Sequence, residues 1–205
     1  MMRKGIFTAL FAAAVYLPGC AAVVTIVAQK AYEDRSTAGQ ITDAKIHARI
    51  LNLLSSTDPN LPIDVNTDVW RRRVLFTGAL DDPGLRRGIE KAVRKDGRIH
   101  ATHNHIQIVS KRVKERRRAS RGGGEPPNVK VGRLISDAWI GAKIKVRLLA
   151  AAGVKSVNYR WQVVLNRVYV IGTAGSRAER GLVLRILRAT KGVKSVVSHI
   201  DTDTR

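Results

Sequence analysis

Thr42-Asp43-Ala44-Lys45-Ile46 and Ser136-Asp137-Ala138-Trp139-Ile140 are two versions of one segment, set 94 residues apart. With no gap opened, Ala48, Ile50 and Leu54 fall on Ala142, Ile144 and Leu148, and Arg73-Val74 falls on Arg167-Val168. Gly78 meets Gly172, Arg86 and Arg94 meet Arg180 and Arg188, and His105-Ile106 meets His199-Ile200. An ungapped series from Asp43 to Ile200 means that one module is present twice, and the repeat sets the domain count.

Each copy reads the same way. Thr42 or Ser136 is placed to cap a helix, with Asp43 or Asp137 favourable in its first turn. Ile46, Ile50 and Leu54, and likewise Ile140, Ile144 and Leu148, recur every four residues and make one apolar stripe. Alternation in Ile63-Asp64-Val65-Asn66-Thr67 and Val157-Asn158-Tyr159-Arg160-Trp161 predicts a strand with one buried face. A second, central strand follows at Val74 to Thr77 and Val168 to Ile171, ended by Gly78 or Gly172 where the backbone turns or approaches something closely. A second helix begins near Pro83 in the first copy. In the second copy Ser176-Arg177-Ala178-Glu179 has the pattern of a capping box. A last strand, about Ile99 to Ile108 and Val193 to Thr202, completes an α-β-β-α-β unit. Two helices on one face of a three-stranded sheet make a small α+β domain.

The chain has 205 residues, enough for one average domain or two small ones. A single cysteine excludes an intramolecular disulfide. Lys and Arg number 37 against 16 Asp and Glu, a net charge of +21 that points to an anionic partner: phospholipid head groups, acidic envelope polymers or, as the third reading, nucleic acid, among which charge alone does not choose. Aromatic residues make up 5%, thin for stacking nucleic-acid bases. The basic start Met1-Met2-Arg3-Lys4 and the apolar stretch from Gly5 to Tyr16 read as a secretory leader. It closes on Leu17-Pro18-Gly19-Cys20, a lipobox whose cysteine thiolate would attack a lipid donor. The alternative is an uncleaved anchor from Gly5 to Ala28, long enough for a bilayer core of ~30 Å but broken by Pro18-Gly19. The expected organisation is a signal peptide at 1–19, an acylated tether at 20–41, a first module at 42–110, a basic Gly/Pro linker at 111–133 and a second module at 134–205.

On a helical wheel, Trp139, Ala142, Val146 and Ala150 lie opposite the core stripe of their helix, flanked by Lys143 and Lys145. An indole with small apolar neighbours and bordering ammoniums suits a membrane interface. Trp139, Lys143, Lys145, Val146 and Arg147 are therefore the candidate lipid-binding residues. In the next helix Arg177, Arg180, Arg188 and Lys191 fall on one stripe, a supporting basic face, with Leu182, Ile186 and Ala189 expected towards the core. The rival reading makes Trp139 an anchor for a protein contact, or packs it on the first copy or the linker. His103 and His105 share a strand face, but no third metal ligand is evident and a structural role is expected. Gly122 to Gly124 lacks the Gly-Lys-Ser/Thr of a phosphate loop. No catalytic constellation, metal site or cofactor motif is found.

The Asp-x-x-Ile-x-x-x-Ile-x-x-x-Leu helix, the glycine of the second strand and the ending Gly192-Val193-Lys194-Ser195-Val196-Val197-Ser198-His199-Ile200 resemble the BON family of bacterial envelope proteins. The resemblance covers roughly Asp43 to Ile108 and Asp137 to Thr202. With the approach segment Asp34 to Gln40 after an acylated cysteine, the chain is similar to two-BON outer-membrane lipoproteins of the DolP type. The resemblance implies two tandem modules in a non-enzymatic protein that binds anionic phospholipid and supports envelope integrity. In the first copy, Trp70-Arg71-Arg72-Arg73 replaces the usual Asn-Gly-type turn. Ala21 is not the aspartate that retains lipoproteins in the inner membrane, so the expected location is the periplasmic face of the outer membrane, anchored through Cys20. The expected partners are anionic phospholipid and, secondarily, envelope proteins, with no nucleic acid and no small-molecule substrate.

Overall fold

Two three-stranded sheets, each carrying its own pair of long helices, are packed back to back. The computed structural model describes residues 32–121 and 136–203. In the first half the order is α1 (Thr37–Thr57), a short α2 (Leu61–Asp64), β1 (Val65–Trp70), β2 (Arg73–Leu80), α3 (Pro83–Val93) and β3 (Ala101–Ile108). The basic run after it is a helix, α4 (Lys111–Arg121). The second half runs α5 (Asp137–Ala150), a 3₁₀ turn, β4 (Tyr159–Val164), β5 (Arg167–Ala174), α6 (Arg177–Arg188) and β6 (Ser195–Thr202). In both sheets the middle strand pairs antiparallel with the first and parallel with the last.

The expected core stripes are present. Ile46, Ile50 and Leu54 of α1 meet Val74 and Phe76 of β2, and Ile140, Ile144 and Leu148 of α5 meet Val168 and Val170 of β5. The opposite faces of the two sheets form a third cluster, in which Trp70 and Leu75 meet Val164, Tyr169 and Ile171. From Asp34 onward the described chain is one compact unit. Repeat-equivalent residues touch across this contact: His105 with His199, and Asp68 with Gln162, each pair 94 apart. A residue meets its own equivalent only near a two-fold axis, so the halves associate like the subunits of an isologous dimer.

Several local expectations are corrected. Thr42 does not cap the first helix, which begins at Thr37 with Ser36 accepting the Gly39 N–H at 3.1 Å. Thr42 lies inside, its hydroxyl bonded to the Ala38 carbonyl. Ser136 does cap, accepting the Trp139 N–H at 3.2 Å. The first strands start at Val65 and Tyr159, because Ile63-Asp64 belong to α2 and Val157-Asn158 to the 3₁₀ turn. Gly78 and Gly172 do not end the second strands but sit inside them. A Cβ on Gly78 would lie 2.0 Å from the Asp64 carbonyl oxygen, and one on Gly172 2.3 Å from that of Asn158. Close backbone approach is thus the reason for glycine, and the strand continues to Leu80 and Ala174.

The hairpin joining the first two strands has positive φ at both central residues, 49° and 62° at Arg71 and Arg72, and 52° and 64° at Leu165 and Asn166. That is the type I′ pattern, which normally selects Asn and Gly. The first-helix aspartate stabilises it. Asp43 accepts the N–H groups of Arg71 and Arg72 at 2.8 and 2.7 Å, and Asp137 accepts those of Leu165 and Asn166 at 2.8 Å each. Two arginines therefore occupy a turn that propensity alone disfavours.

The helix α4 is held against the first half by a bidentate Arg118–Asp64 pair at 2.7 and 2.5 Å and by Lys114–Asp81. The equivalent of Asp64 is Asn158, which instead bonds Asp34 through its side-chain amide at 2.6 Å. One position in the repeat thus anchors the chain that leaves the first half and, in the other copy, the chain that enters it.

Candidate functional site

Sheet-to-sheet packing puts all four long helices on the outside, and this determines which side chains face solvent. On α5 the buried stripe leaves Trp139 38%, Val146 66% and Leu149 60% exposed. Ala142 and Ala150 are exposed beside them. Leu149, seven residues on from Ala142 and so beside it on the wheel, extends this face beyond the residues expected from the sequence. The Lys143 ammonium lies 4.3 Å from the centre of the Trp139 ring, a cation–π contact on the outer surface. Lys145 is exposed on the same helix. Arg147 is drawn away from Trp139: its guanidinium donates to Thr190 Oγ1 at 3.1 Å, at the seam between α5 and the end of α6.

Arg177, Arg180, Arg188 and Lys191 are all exposed on or just after α6, as is Arg185. The side of α6 turned inward is Val183, Ile186 and Leu187, with Leu182 half-buried. Ala189, expected towards the core, is exposed, because the helix ends at Arg188 and Ala189 is its cap.

The acidic groups near these cations are turned to structural tasks. Glu179 completes a variant of the capping box: Ser176 accepts its N–H at 3.1 Å, while its carboxylate reaches the N–H of Gly175 and of Lys155 and the Tyr159 hydroxyl. Burial and that carboxylate push the Tyr159 hydroxyl pKa far up. Asp137 holds the hairpin, and Asp201 pairs with Arg73 of the other half at 2.8 Å. Among the described residues no carboxylate pairs with Lys143, Lys145, Arg177, Arg180, Arg188 or Lys191.

The first half differs. Asp43 to Ile108 holds eleven Lys and Arg against eight Asp and Glu, whereas the aligned stretch Asp137 to Thr202 holds twelve against three. Arg49, the equivalent of Lys143, is paired with buried Asp96 at 2.7 Å. Arg98 shares the same carboxylate, which together they hold well below the usual carboxylate range. The equivalent of Asp96 is Thr190, so the second half lacks this neutralising acid.

His103 and His105 are joined by His199, a third imidazole that only the docking of the sheets brings near. Among the described residues no group of three or more His, Cys, Asp or Glu could hold a metal ion. No described helix is long and apolar enough to cross a membrane. The leader and Cys20 lie outside the described residues.

The second half is a two-layer α-β-β-α-β unit with a positively charged, partly apolar helix face. The BON domain model matches residues 136–204. An "Uncharacterized protein in gshII 5'region" of Anaplasma centrale is 32% identical over 136 residues, which is 66% of this chain and 80% of that protein. The chain belongs to the BON-domain family.

Proposed function

We propose that this is a non-enzymatic, lipid-anchored envelope protein whose second half docks on anionic phospholipid and supports outer-membrane integrity. The observation that carries the reading is the outer face of α5 and α6, where exposed Trp139, Val146 and Leu149 adjoin lysines and arginines without carboxylate partners. An apolar ridge enters the acyl boundary while ammonium and guanidinium groups meet phosphates, each cation near an anionic leaflet contributing about 1 kcal/mol. BON domains are often associated with phospholipid binding or envelope roles, which supports the same reading. The first half is a second BON copy that serves as a packing partner, its helix-face cations Arg49 and Arg94 engaged by Asp96 and Glu90. Acyl chains on Cys20 supply the second membrane signal at the periplasmic face of the outer membrane, since firm anchoring takes two.

Co-sedimentation of soluble protein starting after Cys20 with phosphatidylglycerol-containing and pure phosphatidylcholine vesicles tests the reading. Binding is expected only to the anionic vesicles and is lost on Trp139→Ala. Equal binding by Trp139→Ala and the parent would assign Trp139 to a protein contact instead. Mass spectrometry of the mature N-terminus tests the anchor: an acylated cysteine is expected, and an intact Met1 would remove it.

A further inference from the structure

On the edge strands β3 and β6, half-buried imidazoles pack beside the apolar cluster that joins the two sheets. The Nε2 atoms of His105 and His199 are 2.8 Å apart. At that separation one nitrogen carries the proton and the other accepts it. The His103 ring stacks on His199 with centroids 3.7 Å apart, and Tyr169 stacks on His105 at 5.1 Å. His103 Nε2 is buried with no hydrogen-bond partner among the described residues.

Charged groups face this cluster from three elements. Arg73 of β2 donates to the His199 carbonyl at 3.2 Å and to Asp201 of β6 at 3.0 Å. Arg86 of α3 acts on His105. Cations outnumber the single acid, and Asp201 is already engaged by Arg73. Burial, then these neighbours and the other imidazoles, hold all three histidines below their ordinary value, His199 down to about 4.

We propose that the His105–His199 pair is an acid-sensitive latch, joining the two sheets while at least one ring is neutral and releasing them when both are protonated. One added proton leaves a donor facing an acceptor. The second puts two imidazolium N–H groups head to head beside Arg73, and the rings must part. The sheets carry these rings, so parting them exposes Trp70 and Leu75 on one side and Tyr169 and Ile171 on the other.

A base whose folded pKa lies below its unfolded value of about 6.5 binds fewer protons when docked, so docking is strongest above that pH and weakens as pH falls towards about 4. Asp201 and Asp203 also pair with Arg73 and Arg71 across the same contact, so the control variant must leave these ion pairs in place.

The full chain in detergent, carrying Trp139→Phe and Trp161→Phe so that Trp70 alone emits, is titrated from pH 7.5 to about 4. A reversible red shift of Trp70 emission is expected, and His105→Gln with His199→Gln should abolish it, since paired carboxamides keep donor and acceptor without titrating. No shift in the parent, or an unchanged midpoint in the double variant, overturns the latch. Should the double variant not fold, ring titration by NMR of the parent decides: depressed His105 and His199 values accompanying the shift sustain the proposal, and ordinary values overturn it.

Discussion

The Trp70 indole N–H donates to Thr173 Oγ1 at 2.9 Å, joining the first half to the second where both residues are buried. The bond has no twin, because the repeat equivalents of these residues are Val164 and Ala79. Guanidinium groups of Arg35 and Arg160 lie 4.0 and 5.2 Å from the same ring, so the indole is an anchor for the approach segment as well as for the docked sheets. Trp70→Phe removes the donor and opens a small cavity, at an expected cost of about 1–3 kcal/mol. A double-mutant cycle with Thr173→Val, measured by denaturant unfolding, should return a coupling of about 1 kcal/mol.

Loss of the aspartate that supports the hairpin should be severe in both copies and worse in the first. Asp43→Ala and Asp137→Ala each leave two N–H groups of a positive-φ turn without their acceptor, an effect of about 2–4 kcal/mol. Asp43 also pairs with Arg35 at 2.5 Å, both side chains being under a tenth exposed. Removing it takes a close carboxylate from a buried guanidinium, whereas the matching contact of Asp137, with Arg117, is 3.8 Å long and more exposed. Thermal unfolding of the two variants should rank Asp43→Ala as the less stable.

Glycines in the two kinds of site should respond with opposite signs. Gly78→Ala and Gly172→Ala put a methyl group into backbone at 2.0 and 2.3 Å and should prevent folding. Gly88 and Gly181, inside α3 and α6, have nothing within 4 Å of an added Cβ. Gly88→Ala and Gly181→Ala should each stabilise by about 0.5–1 kcal/mol, read from the unfolding midpoint.

Neutralising a cation should matter for membranes only on the second half. Under the proposed docking, Arg188→Gln should cost about 1 kcal/mol of attraction to an anionic leaflet, roughly a fivefold loss of vesicle affinity at low salt. Arg49→Gln, at a position already paired with Asp96, should leave vesicle binding unchanged. Both are checked by sedimentation with phosphatidylglycerol vesicles, and the effect of Arg188→Gln should shrink as salt rises.

Much of this molecule is legible along the chain. The stripes Ile46-Ile50-Leu54 and Ile140-Ile144-Leu148 are buried where a period near four puts them. The order of helices and strands follows, and so does the exposed face containing Trp139. Boundaries were less legible. Thr42 looked like a cap because the repeat begins there, yet Ser36 won by lengthening the helix upstream. The close approach expected at the glycine of the second strand is present, to a carbonyl fourteen residues earlier, but the strand does not end there.

Relations between distant residues were not legible at all. Nothing local joins Asp43 to the turn at Arg71 and Arg72, or His199 to His103 and His105. That one α-β-β-α-β unit occurs twice is written along the chain, because helix and strand periodicity and glycine placement are local physics repeated at fixed spacing. The face-to-face docking of the sheets emerges in three dimensions alone. Apolar residues on both sides of β2 and β5 announce a second buried face but not its partner. That choice brings equivalent histidines onto one axis and leaves the helices, with their unequal charge, on the outside.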